Sequence, residues 1–313
     1  MFRHLHPTDS PRLLAFKQAA GRAEAFALPQ AVQGAAGKFS AVRYAGTALS
    51  PRAWESCWVV SDGGRIQAVI RAGPRSGPLA WEVRDLFVHR AYVHESAEAL
   101  EDLAVPAGKS GARRIFLRLP QSSPLYDQAR RAGYMAAGCE TLYRTQSAED
   151  AIEKLGDPDM RVSLRLRSSQ DDDSLFRLYC ASTPVELRLG CGQTVSEWLD
   201  ASEKPGARPK EWVMDEGDGR VLAYLRTADL RAGRYFSLTW SRDMKEDASG
   251  LVAAALASTR DNAAAMTVVP SYDEGLAGLI EDIGFEPVQT YDVLAKILAV
   301  PVMEAGRAVA AVG

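Results

Sequence analysis

Apolar and polar positions alternate in two short runs of this chain, and the runs are nearly copies of each other. From Trp58 the sequence reads WVVSDGGRIQAVIR, and from Trp212 it reads WVMDEGDGRVLAYLR. Each opens with Trp and two apolar residues, crosses an acidic, glycine-rich turn, and continues as an apolar strand ending in Arg. Asp62-Gly63-Gly64 and Gly217-Asp218-Gly219 supply residues that tolerate positive φ, as tight turns demand, so each run predicts a β-hairpin.

Two further blocks recur in the same order. EVRDLFVHRAY from position 82 matches RYFSLTWSRDM from 234, an offset of 152. LRLPQSSPLYDQARRAGY from 117 matches TVVPSYDEGLAGLIEDIGF from 267, with Gly133 falling on Gly284. Three blocks in order at nearly one offset predict a duplicated unit. Within each unit the second block is another strand. ESAEALEDLAV and SGLVAAALAST then read as helices, and IFLRL and MTVV as short strands. A second helix follows, opened by Ser122 or Ser123 with Pro124 in one copy and by a Ser271–Glu274 capping box in the other. It stops at Gly133 or Gly284, and one more strand closes the unit. The polar segment 145–160, with Gly156 and Pro158, is the expected linker. The expected domains are 1–147 and 160–300.

Composition sets bounds on this picture. The chain has 313 residues, 47% apolar and 25% charged, enough for a core in each half. No apolar run reaches ~18 residues, so no membrane span is expected. The N-terminus lacks an apolar signal core, so a cytoplasmic protein is expected. Cys57, Cys139, Cys180 and Cys191 form no C-x-x-C pair, which points to free thiols and not to disulfides or zinc. The net charge of −3 argues against bulk nucleic-acid binding. The halves differ, however: residues 1–150 hold 19 basic and 14 acidic side chains, the remainder 18 and 26.

The order strand-turn-strand, strand, helix, strand, helix, Gly-aromatic, strand resembles the GNAT acyltransferase superfamily. Leu86-Phe87-Val88-His89-Arg90-Ala91-Tyr92 is similar to that family's fourth strand and its exit, and GYMAAG and GFEPVQ to its final Gly-Phe strand. The resemblance covers about 1–145 and 162–300. It implies an α/β fold of two tandem GNAT-like domains, each with a mixed sheet. It also implies acyl-CoA, acetyl-CoA in the first instance, as substrate. The acceptor would be a primary amine of a small molecule or peptide, with no metal.

In that family the fourth strand leads into Q/R-x-x-G-x-G/A at a helix N-terminus, where free backbone N–H groups and the helix dipole attract pyrophosphate. The first copy reads Val93-His94-Glu95-Ser96-Ala97-Glu98, which puts Val where a cation is wanted and adds two repelling carboxylates. The second reads Lys245-Glu246-Asp247-Ala248-Ser249-Gly250, a K-x-x-A-x-G match despite Glu246 and Asp247. The expected cofactor-binding residues are therefore Lys245, Ala248, Ser249 and Gly250, with Leu238 and Trp240 on the strand before them.

The family's acid is often a Tyr four residues before the Gly of Gly-Phe, but Ala129 and Ile280 stand there. Tyr272, at the start of the same helix, is the candidate acid, while Tyr126 reads as a packing residue. Asp273 falls where the family often has an Asn facing the pantetheine arm. Glu82 and Asp85 on the first copy's fourth strand are the candidate bases; Arg234 and Ser237 replace them in the second. His89, His94 and Glu95 lack metalloprotease spacing and read as loop. Arg161, Arg165 and Arg167 alternate with leucines as one exposed strand face. The best CoA-like loop and the best carboxylates thus lie in different copies. This leaves two readings, an N-acyltransferase whose second copy holds acyl-CoA, and a catalytically inactive GNAT-like binding or scaffold module.

Overall fold

The structure is a computed structural model. It describes residues 1–299 apart from 22, 35–36, 50–55, 157–161, 207, 218, 243, 245–247 and 258–262. The first half runs β1 (Phe2–His4), α1 (Ser10–Ala19), β2 (Ala25–Phe26), α2 (Leu28–Val32), α3 (Ala41–Leu49), β3 (Cys57–Asp62), β4 (Arg65–Pro74) and β5 (Ala80–Val88). It continues with α4 (Ser96–Asp102), α5 (Ala104–Lys109), β6 (Arg114–Pro120), α6 (Tyr126–Arg131) and β7 (Met135–Thr145). The segment between the repeats is not mere coil: it holds α7 (Ala148–Leu155), capped by Ser147 and packed through Ala148 and Ala151 on the second half's core.

The second half runs β8 (Arg165–Leu166), α8 (Asp172–Ser182), α9 (Val185–Cys191), α10 (Val195–Ala201), β9 (Lys210–Asp215), β10 (Val221–Leu230) and β11 (Gly233–Trp240). Then come α11 (Ser249–Ala257), β12 (Ala265–Pro270), α12 (Glu274–Asp282) and β13 (Glu286–Ile297).

The hairpins β3–β4 and β9–β10 are the two runs read from the sequence. In both halves the strand after the hairpin pairs antiparallel with it, then parallel with the strand beyond the crossover helix. Gly133 (φ 82°) and Gly284 (φ 90°) end α6 and α12 in a left-handed conformation that a Cβ would oppose. One expected detail differs. α12 is capped by Asp273, whose side chain accepts from the Leu276 N–H, and not by Ser271.

A further repeat emerges that hydrophobic pattern did not reveal. Arg3 forks onto both oxygens of Asp9 at 2.7 Å, and Arg165 onto both oxygens of Asp171 at 2.7 and 2.9 Å. In each case the carboxylate also accepts the backbone N–H three residues earlier, from His6 or Ser168. Arg165 and Arg167, read as part of an exposed face, are thus pinned at a strand edge, Arg167 being held by Asp172 and Glu211, while Arg161 lies outside the described residues.

Among the described residues all the strands join one 13-stranded sheet, in the order β1-β3-β4-β5-β6-β13-β7-β12-β11-β10-β9-β8, with β2 on β5. The halves exchange their last strands. β13 lies antiparallel on β6 of the first half, β7 lies antiparallel on β12 of the second, and β7 and β13 pair with each other at the centre. Helices cover the sheet. Trp58, Ile70, Leu100 and Tyr134 anchor the core of the first half, and Phe236, Leu251, Ile280 and Phe285 that of the second. No helix among the described residues is long and apolar enough to cross a membrane.

The exchange predicts how fragments behave. A piece ending near residue 150 would expose the edge of β6 and leave β7 without either neighbour, and unpaired edges aggregate. Expressed alone, each half should be insoluble or unfolded by circular dichroism. Co-expressed halves should yield a soluble complex. A monomeric, cooperatively melting first half would contradict the exchange.

Candidate active site

β11 and β12 pair only at Arg234–Phe236 with Ala265–Thr267, and beyond that they part. The Arg234 N–H donates to the Ala264 carbonyl at 2.8 Å. Strand geometry repeats every two residues, so the backbone groups of Phe236, Leu238 and Trp240 face the same way, away from β10. Past Phe236 no described strand covers that side, and Leu238 and Trp240 present an open edge. A cavity of about 290 Å³ lies in the gap, lined by Leu238, Thr239, Trp240, Arg242, Tyr272 and Asp273 among others. The Trp240 indole N–H reaches across to Asp273 Oδ2 at 3.1 Å. Next along the chain comes α11, with Ala248 and Gly250 buried and Ser249 half-buried at its start. Lys245, with Glu246 and Asp247, lies outside the described residues.

The first half has the same divergence and a different occupant. β5 and β6 pair at Ala80–Glu82 with Arg114–Phe116 and then part. Into the gap comes β2, with Ala25 opposite Leu86 and Phe26 opposite Asp85. The Glu24 N–H donates to the Leu86 carbonyl at 2.8 Å, and the Ala27 N–H to the Arg84 carbonyl at 3.3 Å. Leu86 is the position matched to Leu238 in the repeat, so the edge open in one half is sealed by the chain itself in the other. At the helix start, Glu95, Glu98, Asp102 and Asp62 line one cavity of about 370 Å³, an acidic surface where a phosphate would meet repulsion. His89 serves as a cap, its Nδ1 accepting from the Ala91 N–H at 3.1 Å. No cluster that could hold a metal is found among the described residues.

Between the halves lies a second chamber of about 260 Å³, and Tyr272 lines both it and the β11–β12 cavity. The exchanged strand β7 forms one wall. Glu140 stands opposite Pro270, and the Cys139 carbonyl accepts from the Ser271 N–H at 2.8 Å, which brings Glu140 close in register to Tyr272. Arg118, 3% exposed in its side chain, donates from Nε to Glu140 at 2.6 Å and from Nη2 to Glu203 at 2.7 Å. Glu203 also takes Arg75, and its backbone carbonyl takes Arg226. Two carboxylates therefore share Arg118, but only Glu203 has a second guanidinium. Burial works against both charges, yet the arginines hold Glu203 down to about 2, while burial pushes Glu140 up. The Tyr272 hydroxyl pairs with Thr183 Oγ1 at 3.3 Å, and burial raises its pKa, so the phenol keeps its proton.

Of the residues expected from the sequence, Tyr272, Leu238 and Trp240 come together around one cavity, with Ala248, Ser249 and Gly250 at the start of α11. Glu82 and Asp85 do not join them. Asp85 is buried beneath Arg71 at 2.5 Å, with Arg43 at 3.7 Å, and faces β2. Glu82 is held between Arg75 at 3.4 Å and Arg84 at 3.7 Å, and lines neither cavity around Tyr272. Ala129 and Ile280 are fully buried core residues, and Tyr126 packs against the first core. Glu140 escaped the sequence reading because nothing in its own strand says that the strand crosses into the other half.

No family model matches the sequence, and no curated protein does. Solved structures do match. A GCN5-related N-acetyltransferase from Sphaerobacter thermophilus superposes with a TM-score of 0.53 at 13% identity, over 95% of each chain. A functionally unknown conserved protein from Staphylococcus epidermidis gives a TM-score of 0.53 at 12% identity, over 77% of this chain and 93% of its own. At such identities the likeness speaks for architecture alone: the chain has the GNAT acyltransferase fold, with its strand-turn-strand and divergent-strand unit built twice.

Proposed function

We propose that this protein is an acyl-CoA-dependent N-acyltransferase, moving an acetyl group from acetyl-CoA to a primary amine in the cleft of its second half. The observation that carries this reading is the contrast between the halves, with the Leu238–Trp240 edge open and its counterpart at Leu86 sealed by β2. An exposed strand edge can pair with the amides of an extended pantetheine arm as it would with an added strand. Small residues at the start of α11 let phosphate oxygens approach the backbone donors, and Lys245 would add charge. In the reaction the amine nitrogen bonds to the acyl carbon and the carbon–sulfur bond breaks. Tyr272, protonated, supplies the proton for the departing thiolate, and Glu140 accepts the proton lost by the amine. The first half closes its own groove and contributes Glu140 through the exchanged strand. We take the cytoplasm as the compartment, where acyl-CoA and free thiols coexist.

Acetyl-CoA at a hundred times its dissociation constant should stabilise the fold by about 2.7 kcal/mol. Ser249→Glu, which adds a carboxylate at the start of α11, should remove the resulting rise in Tm. Glu98→Lys in the first half should leave the rise unchanged, because β2 still fills that groove. Differential scanning fluorimetry reads both, and a normal shift in the Ser249 variant would count against the cleft.

The pH profile offers an independent check. A base must be ionised to act, so kcat/KM should rise with pH through the Glu140 pKa. Burial raises that pKa, so this limb should lie above the ordinary glutamate value of about 4.3. Glu140→Gln should abolish the limb. A Glu140→Gln enzyme with an unaltered profile would assign the base elsewhere.

A further inference from the structure

We propose that the chamber between the halves is the acceptor subsite and takes amines that also carry a carboxylate, of the α-amino-acid class, with Arg118 binding the carboxylate. This rests on the acyltransferase reading above. Arg118 lines the chamber, and its side chain is almost wholly buried. Its Nε and Nη2 are used by Glu140 and Glu203, but its Nη1 has no acceptor. A buried guanidinium N–H without an acceptor is costly, and the nearby carboxylates are already engaged by arginines. Glu203 already serves Arg75 and Arg118 together. Glu82 serves Arg75 and Arg84, and Glu211 serves Arg167 and Arg226. The planar guanidinium is suited to a carboxylate, which can accept from it in-plane.

The neighbour of Arg118 decides the rest of the ligand. Glu140 lies 2.5 Å from Arg118, so the chamber wall displays a carboxylate and a guanidinium side by side. An α-amino acid displays an ammonium and a carboxylate at a similarly short separation, in the complementary order. Its ammonium would face Glu140, the proposed base, next to Tyr272, and its carboxylate would face Nη1. A chamber of about 260 Å³ has room for a ligand of that size, and Tyr179, Trp198 and Val293 on its wall suit an apolar side chain.

The full-length protein can be titrated calorimetrically with L-leucine and L-phenylalanine, and with their carboxamides, in the absence of acetyl-CoA. The free amino acids should bind at least tenfold more tightly than the carboxamides. Arg118→Lys keeps a cation for Glu140 and Glu203 but loses the fork. It should reduce that preference to less than twofold while the acetyl-CoA-induced rise in Tm persists. Equal binding of acid and amide, no binding of either, or an undiminished preference in Arg118→Lys would overturn the proposal. Should Arg118→Lys fail to fold, the wild-type comparison still decides. Thiol release with acetyl-CoA separates the two readings. Preferential binding without acetylation keeps the subsite and removes the transferase reading. Equal acetylation of acid and amide does the reverse.

Discussion

Replacing Glu203 with Gln should destabilise the protein by about 3–5 kcal/mol, the usual cost of removing one partner from a buried ion pair. Glu203 binds Arg118 through one oxygen at 2.7 Å and Arg75 through the other, and all three side chains are largely buried. Without the carboxylate, Arg75 keeps the Ala201 carbonyl at 2.8 Å but only Glu82, at 3.4 Å, as an anionic partner, and the Nη2 of Arg118 must rely on Glu140 alone. At roughly 2–4 °C per kcal/mol for a chain somewhat smaller than this, the loss is on the order of 10 °C in Tm. The pH dependence has a definite sign. The folded-state pKa of Glu203 is depressed to about 2, so its contribution is present above its ordinary pKa and fades as pH falls toward 2. Wild type and variant should therefore differ most near pH 7 and converge in acid. Glu216→Gln is the comparison: Glu216 is half exposed and 3.8 Å from Arg220, a pairing worth at most about 1 kcal/mol. Melting curves at pH 7 and pH 3 test this. A Glu203 variant as stable as the Glu216 variant at pH 7 would mean that the cluster is solvated and not buried.

The same change should reach the site. Glu203 is one of the groups that hold the Glu140 pKa up. Its removal lets Arg118 act on Glu140 alone, and the acidic limb of the activity profile should then move to lower pH.

The sequence declared its duplication because the hairpin turns, the fourth strands and the helix-ending glycines each answer a local demand that only a few residue types meet. Positive φ at Gly133 and Gly284 is such a demand, and it is visible without any tertiary knowledge. The strand exchange is of another kind. β7 and β13 close equivalent units, and period-two patterning sets which face of a strand is buried, not which neighbour it pairs with. Either pairing satisfies the pattern, so Glu140 could not be placed opposite Pro270, next to Tyr272, from the sequence. β2 was equally hidden. Two residues, Ala25 and Phe26, carry no periodicity, yet they decide that the first groove is closed. The surroundings of the strand carboxylates were hidden for a related reason. Alternation showed where the fourth strand lay but not that Arg71, Arg75 and Arg84 wait beside Asp85 and Glu82. Tyr272 could be proposed from the sequence because its position relative to Gly284 is local. What the sequence lacked was its surroundings, with Thr183 from the end of α8 and Glu140 from the exchanged strand.

Those surroundings make Tyr272→Phe the sharpest test of the chemistry. The substitution removes one oxygen from a side chain that lines both cavities, and the ring can keep its place. The lost bond to Thr183 is long, at 3.3 Å, so stability should change by no more than about 1 kcal/mol. Turnover is different. Loss of a positioned general acid lowers rates by a factor on the order of 10²–10⁴. Ala129 and Ile280, at the register where an acid Tyr would otherwise stand, are sealed in apolar cores and offer no substitute. Because burial raises the Tyr272 pKa, the wild-type rate should not fall on the alkaline side until beyond the ordinary tyrosine value of about 10. Acetyl-CoA should still raise the Tm of the variant, because the edge at Leu238 and Trp240 and the start of α11 are untouched. Steady-state thiol release with a primary amine, followed alongside melting, separates the contributions. A large drop in kcat with unchanged Tm and an unchanged acetyl-CoA shift assigns the proton to Tyr272. A variant with full turnover would leave solvent or another group as the acid and return Tyr272 to a purely structural place beside Thr183.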